Sequence, residues 1–173
     1  MILETLLYLL RFIVILFIQI LLINNIELSS YVNPYIYISF ILLLPVTVKP
    51  WQIVLISFFC GAVMDAFSST PGLHIAATNF MGFIRIHYLK ATTTKEDIEG
   101  RIAPTLSQKG IVWFVFYCFV MTLIHHTILF FLEIYGFQEF FSTITRIFFS
   151  SIVTVLLIVI GQLLFYHSKI RNG

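Results

Sequence analysis

The sequence predicts an all-α integral membrane protein, folded as a single-domain bundle of six transmembrane helices. Of its 173 residues, 60% are hydrophobic and 10% are charged, and the mean hydropathy is +1.00. Ordinary soluble domains carry about a quarter charged residues, so this chain falls outside that class. The apolar residues form continuous runs, whereas a transmembrane β-barrel would alternate apolar and polar residues. These runs leave no room for a separate soluble domain.

Six apolar runs are predicted to be helices, because a bilayer crossing needs about 20 apolar residues. They cover about residues 3–23, 34–48, 51–65, 72–89, 110–135 and 143–167, so that the whole of 1–173 is one transmembrane domain. Asn33 and Pro34 favour the start of the second helix, and Pro45 favours a kink or an early end. The third and fourth helices are short, and the sequence leaves open whether they fully span the bilayer.

The distribution of Lys and Arg predicts that both termini lie in the cytoplasm. The predicted cytoplasmic segments, which include the loop of about 90–109, hold seven of the ten basic residues. The predicted outer loops at 24–34, 65–72 and 136–142 hold none. An excess of Lys and Arg on the cytoplasmic side is the usual bias of inner-membrane proteins. We therefore expect a multi-pass protein of the bacterial inner membrane.

One stretch, residues 61–80, is predicted to organise the bundle. It places a carboxylate, Asp65, at the end of an apolar helix, and then turns over Pro71 and Gly72 before His74. Pro fixes φ and Gly tolerates a positive φ, so this pair suits a chain reversal. Gly61 and Asp65 lie on one helix face, where a small residue allows close packing of helices. A charge near lipid is costly, so this segment is predicted to be buried against other helices.

The predicted partners of Asp65 are chosen by depth in the membrane. Arg85 lies about 20 Å further along the axis at 1.5 Å per residue, so a direct pair is not expected, and Arg85 is predicted to snorkel to the cytoplasmic surface. His74 and Arg146 lie closer in depth, although Glu133 competes for Arg146. Two roles stay open for Asp65: a structural tie between turn and helix, and ligand or proton handling.

Other reactive residues are predicted to be structural. His125 and His126 point about 100° apart on a helix, which suits one facing the bundle and one nearer the outer interface. Cys60 and Cys118 lie inside apolar runs and are read as small fillers. The sequence has no nucleophile with matching histidine and carboxylate, no glycine-rich phosphate loop and no metal-ligand spacing. We therefore expect no enzyme activity, no cofactor and no nucleic-acid partner.

The chain resembles the rod shape-determining protein MreD family over nearly its whole length. The matching motifs are Asn33-Pro34, Leu43-Leu44-Pro45, Gly61-x-x-x-Asp65, Thr70-Pro71-Gly72, His74-x-x-Ala77 and Arg85 at the end of the fourth helix. The most specific of them is the hairpin from Asp65 to the Pro-Gly turn. The fold that this resemblance implies is similar to that of the six-helix substrate-binding components of energy-coupling vitamin transporters.

The resemblance implies a non-enzymatic membrane scaffold or regulatory subunit of the bacterial elongation (rod) complex, supporting peptidoglycan synthesis and rod cell shape. Its implied partners are MreC, the RodA glycosyltransferase with its transpeptidase, and through MreC the MreB filament. The alternative is a component that binds or transports a small vitamin-type molecule, with Asp65, His74 and Asn79 lining a cavity open to the outside. A hairpin packed shut, with an exposed apolar groove, favours the scaffold; a wide polar cavity favours the alternative.

Overall fold

The computed structural model describes the backbone of residues 2–25, 32–100, 102–135 and 139–171, with side chains from Leu6 to Leu164 within these ranges. All regular elements of these residues are helical, which confirms the all-α class. In chain order they are α1 Ile2–Phe17, continued by a π-turn Ile18–Leu22 and a 3₁₀ turn Ile23–Asn25, a 3₁₀ turn Ile36–Ile38, α2 Ser39–Leu42, α3 Pro50–Ser68, α4 Leu73–Thr92, α5 Lys95–Glu99, α6 Leu106–Lys109, α7 Ile111–Glu133 and α8 Phe140–Arg171.

Four helical stretches among the described residues are long and apolar enough to cross a membrane. They are Leu6–Asn25, Pro50–Ser68, Ile111–Glu133 and Phe140–Leu164. Helix α4 has 20 residues but is more polar, since it carries Arg85 and Lys90. The bounds of the predicted first, third, fourth, fifth and sixth helices agree with α1, α3, α4, α7 and α8 to within a few residues at most ends.

The predicted second helix at 34–48 is wrong as a continuous helix. Only Ile36 to Leu42 is helical, and seven residues at about 1.5–2 Å each are too short to span a bilayer. Pro34 and Pro45 bracket this short piece, and proline lacks the backbone N–H that a longer helix would need. The chain from 32 to 48 is therefore extended, briefly helical and then turning, and we call it the broken crossing after the crossing that the sequence predicts there.

The broken crossing lies in the centre of the bundle. Tyr37, Ile38, Ile41 and Leu42 are at most 1% exposed and belong to the main apolar core. Around them, α3 packs on α4, α4 on α7 and α7 on α8, while α1 packs from one side. Irregular backbone at such depth is tolerated only where protein surrounds it.

The antiparallel helices give the bundle two chemically different ends. The basic end carries Lys49 before α3, Lys90 in the last turn of α4 and Lys109 before α7. There the broken crossing meets the following loop, since the Val46 N–H donates to the Ile102 carbonyl at 3.2 Å. The hairpin end carries the turn between α3 and α4 and the end of α7 at Glu133.

Candidate functional site: a polar core around the broken crossing

Asp65 caps the N-terminus of α4. Its carboxylate accepts backbone N–H groups from Gly72 at 3.1 Å, His74 at 2.9 Å and Ile75 at 3.0 Å, and the Thr70 hydroxyl at 3.0 Å. A helix N-terminus leaves N–H groups unpaired and carries a partial positive charge, so an acid one turn before the end of α3 suits it. The acid therefore ties the turn to the next helix, as the structural interpretation expects.

The close approach of α3 and α4 occurs at Gly61. A Cβ on Gly61 would lie 2.6 Å from the Ile75 Cα and 2.7 Å from the His74 carbonyl oxygen, so no side chain fits there. Gly72 has φ +88°, with nothing within 4 Å of its Cβ position, so its role is conformational and not one of close approach. Pro71 beside it is exposed in the turn.

Gln19 pairs with backbone groups of the broken crossing near the hairpin end. Its side chain is fully buried; the Oε1 accepts the Ile36 N–H at 2.6 Å and the Tyr37 N–H at 3.3 Å, and the Nε2 donates to the Pro34 carbonyl at 3.1 Å. Gln19 lies in the π-turn that continues α1, and π-turns often mark functional positions. One side-chain amide thus replaces backbone pairing that an unbroken helix would supply.

Helix α8 supplies hydroxyl groups to the same part of the broken crossing. The Asn33 N–H donates to the Ser150 hydroxyl at 3.0 Å, and the Tyr35 N–H donates to the Thr154 hydroxyl at 3.1 Å. Both hydroxyl-bearing residues are fully buried. Ser150 and Thr154 on α8 therefore pair with the extended backbone beside them.

Arg85 donates to backbone carbonyls of the broken crossing near the basic end. The guanidinium is 2% exposed and donates to the Leu42 and Leu44 carbonyls, at and just beyond the C-terminus of α2, and to the Tyr117 hydroxyl at 3.0 Å. Tyr117 in turn donates to the Leu42 carbonyl at 3.0 Å. The predicted snorkelling of Arg85 is wrong, because the unpaired carbonyls of a broken helix attract the cation inward.

The Tyr37 hydroxyl joins three elements at the centre of the core. It lies 3.1 Å from His74 Nδ1, 2.9 Å from Thr78 Oγ1 and 2.8 Å from His125 Nε2. A phenol hydroxyl donates one hydrogen bond and accepts two, so its capacity is used in full. All four residues are at most 1% exposed, which makes this cluster a sealed junction between the broken crossing, α4 and α7.

The two adjacent histidines are both buried, so the expectation that one lies near the outer interface is wrong. His125 contacts Tyr37, while His126 Nδ1 donates to the Thr122 carbonyl at 2.9 Å and His126 Nε2 lies 3.4 Å from the Thr154 hydroxyl. They do face different partners, as their 100° separation on the helix requires.

Arg146 forms a clamp at the hairpin end. It pairs with Glu133 at 2.9 Å, donates to the Asn33 side-chain oxygen at 2.8 Å and lies 4.1 Å from the centre of the Phe130 ring. Arg146 therefore pairs with Glu133 and not with Asp65, the other partner that the sequence analysis considered. The clamp joins α7, α8 and the start of the broken crossing.

A cleft at the hairpin end and a groove on α7 border the described residues, and neither is lined by Asp65 or His74. A cleft of about 390 Å³ at the hairpin end is lined by α1, the start of the broken crossing and the end of α3, including Asn25, Asn33 and Tyr35. An apolar groove of about 420 Å³ lies on the basic half of α7, formed by Ile111, Val112, Val115, Phe116 and Phe119. Within the described ranges no group of three metal-ligating side chains comes together, and Cys60 and Cys118 are buried as free thiols.

Sequence reasoning missed Gln19, Tyr37 and Tyr117. Gln19 carried a usable signal, because a lone amide inside an apolar run has to find a partner within the protein. The tyrosines carried none, since aromatic residues with a polar tip are common at both membrane interfaces.

Comparison with protein-family models, with curated proteins and with solved structures gives no match for this chain.

Proposed function

We propose that this chain is a non-enzymatic scaffold or regulatory subunit of the bacterial rod complex, of the MreD type, that binds MreC and supports peptidoglycan synthesis. The observation that carries the proposal is that Asp65, His74, Arg85 and Arg146 spend their hydrogen bonds on the chain itself. Polar groups used in this way hold a fold together, so these four side chains have a structural role.

The placement in the membrane is part of the proposal. We infer six crossings, with α4 and the broken crossing added to the four apolar helices, and with the basic end in the cytoplasm. Cysteine-labelling tests this placement: Ser69→Cys should react with an impermeant thiol reagent from outside intact cells, and Ser107→Cys only after lysis. The reverse pattern would reject the orientation.

The partner contact is proposed for the apolar exterior. Val112 and Phe116 in the groove of α7 are 81% and 60% exposed, and a helix of a partner can pack into such a groove. MreC is the proposed occupant, with RodA, its transpeptidase and MreB joined through it.

Co-purification tests the function. MreC should be recovered with the wild-type chain, and Val112→Trp, which fills the groove, should lower the recovery several-fold. Leu164→Trp is the matched control, because Leu164 in α8 is also exposed, at 70%, and lies toward the basic end of the bundle but outside the groove. Depletion of the chain should round up rod-shaped cells. Rods that persist, together with no recovered MreC, would reject the scaffold function.

The small-molecule alternative has less support. It requires Asp65, His74 and Asn79 to line an outward cavity. Asp65 and His74 are 7% and 1% exposed, and Asn79 is half-buried and donates to the Ile75 carbonyl at 3.2 Å.

A further inference from the structure

Three histidine side chains meet in the polar core. The ring centres of His74 in α4 and His125 in α7 lie 6.3 Å apart, and those of His125 and His126 lie 5.4 Å apart. The Tyr35 ring of the broken crossing packs against all three, with 5.0–6.1 Å between ring centres. Each histidine is at most 1% exposed, so the three form an enclosed imidazole cluster.

The charges around the imidazole cluster are paired elsewhere. Asp65 of α3 spends its carboxylate on N–H groups of the turn and of α4, and Arg146 of α8 pairs with Glu133 of α7. The remaining titratable side chains beside the cluster are Tyr35 and Tyr37 of the broken crossing and Cys60 of α3. Within the described ranges, none of the three histidines forms an ion pair. A proton taken up by the closed cluster would therefore have no counter-ion.

The hydrogen bonds of Tyr37 show where the hydrogen of His125 lies. The Tyr37 hydroxyl lies 2.8 Å from His125 Nε2, whereas His125 Nδ1 is buried and has no hydrogen-bond partner in the part of the chain that the structure describes. A buried N–H without an acceptor costs about 1–3 kcal/mol, so the hydrogen is assigned to Nε2, which donates to the Tyr37 hydroxyl. A second proton on His125 would have to go to Nδ1, where it meets no acceptor.

The imidazole cluster lies close to the hairpin end. His74 is the second residue of α4, three residues after the exposed Pro71 of the turn. Through the Tyr37 hydroxyl, His74 and His125 hold the broken crossing onto α4 and α7. An opening at the hairpin end therefore exposes the imidazoles to water.

We propose that the imidazole cluster is an acid-sensitive junction. While its histidines are neutral, it holds the broken crossing against α4 and α7. In acid, an imidazole is protonated in the open form, because the closed form has neither a counter-ion nor an acceptor for the added N–H. Acid therefore releases the broken crossing at the hairpin end. This device goes beyond the scaffold function and does not depend on it.

The size of the effect follows from proton linkage. A histidine in water has a pKa of about 6.5. If the closed form takes up no proton at His125, the ratio of open to closed form rises about tenfold between about pH 7.5 and about pH 5.5. The junction is thus fully stable above about pH 7.5 and loses stability as the pH falls below about 6.5. Each further imidazole that stays neutral in the closed form adds another factor of about ten.

Hydrogen exchange of the full chain in detergent micelles tests the proposal. The Tyr35 and Tyr37 amides donate to side chains of other helices, and they should lose protection about tenfold or more over this pH range, after correction for the intrinsic exchange rate. His125→Gln should shrink the loss about tenfold, because the glutamine Nε2 can donate to Tyr37 and does not titrate. His87→Gln, at an exposed position of α4, is the matched control and should leave the loss unchanged.

Two further measurements use the wild-type chain alone. Nitrogen NMR with labelled histidine should show a neutral His125 with its hydrogen on Nε2 in the folded chain down to about pH 5.5. The Val46 amide, which donates to the Ile102 carbonyl at the basic end, should keep its protection, since the opening is local.

Four results would overturn the proposal. The first is protection of the Tyr35 and Tyr37 amides that does not change with pH. The second is an equal loss of protection in His125→Gln and in the wild-type chain. The third is a charged His125 in the folded chain. The fourth is a parallel loss of protection at Val46, which would mark general acid unfolding.

Discussion

Replacement of Gln19 by leucine should destabilise the protein severely, although leucine is the more apolar side chain. The change removes the acceptor of the Ile36 and Tyr37 N–H groups and the donor to the Pro34 carbonyl. Each buried backbone group left unpaired costs about 1–3 kcal/mol, so three such groups cost roughly 3–9 kcal/mol. The buried leucine returns about 1.5–3 kcal/mol. We expect a net loss of about 4 kcal/mol, which is the difference between the midpoints of these two ranges.

The loss is measured as the free energy of unfolding in mixed detergent micelles, titrated with a denaturing detergent. Gln162→Leu is the matched control, since Gln162 lies half-buried in α8 and should change stability by less than about 0.5 kcal/mol. Hydrogen exchange supplies a local readout: the Ile36 and Tyr37 amides should exchange faster in Gln19→Leu. A loss below about 1 kcal/mol, with unchanged exchange at both amides, would refute the role assigned to the Gln19 amide.

Further predictions concern the hairpin and the loop at the basic end. Gly61→Ala should lower the yield of folded protein, because its Cβ would lie 2.6 Å from the Ile75 Cα. Gly161→Ala is the control and should be stabilising, because nothing lies within 4 Å of its Cβ position. Equal melting temperatures of the two variants would contradict this prediction. Ser69→Gly should stabilise the hairpin by about 1 kcal/mol, since Ser69 has φ +55°, and an unchanged melting temperature would count against it. The Lys109 ammonium donates to Asp97 and holds the pKa of that carboxyl below its usual value. The stabilisation is therefore present above about pH 4 and declines as the pH falls further, and Asp97→Asn should remove this pH dependence of thermal stability.

The sequence predicts the long helices well because each is a continuous apolar run. Helices α3 and α7 begin after Lys49 and Lys109 and end at polar residues, so composition alone marks their bounds. The tie between Asp65 and the Pro-Gly turn is also readable, since an acid and a turn seven residues apart leave few places for the charge.

The broken crossing could not be read from the sequence in the same way. Residues 36–44 are as apolar as any helix of the chain, and the sequence offers only Pro34 and Pro45 as signs of a break. The groups that compensate for the break, Gln19, Arg85 and Tyr117, come from three other helices, and no local pattern connects them. The prediction for Arg85 is wrong for this reason. If the second helix were unbroken, it would offer no free carbonyls, and the guanidinium would reach water most easily at the membrane surface.

The core histidines show a related limit. Helical spacing gives the angle between His125 and His126 but not the neighbours that each one meets. Both imidazoles are buried because each meets a hydroxyl group from a distant part of the chain. Tyr37 lies 88 residues from His125, and Thr154 lies 28 residues from His126.

The route of residues 32–46 through the middle of the bundle has a consequence for biosynthesis. Tyr117, Ser150 and Thr154 leave the ribosome long after the backbone groups that they pair with. Until then, exposed amides cannot settle in hydrocarbon, since each would lose several kcal/mol there. Residues 32–46 can therefore take up their buried positions only after α8 has been synthesised and packs beside them.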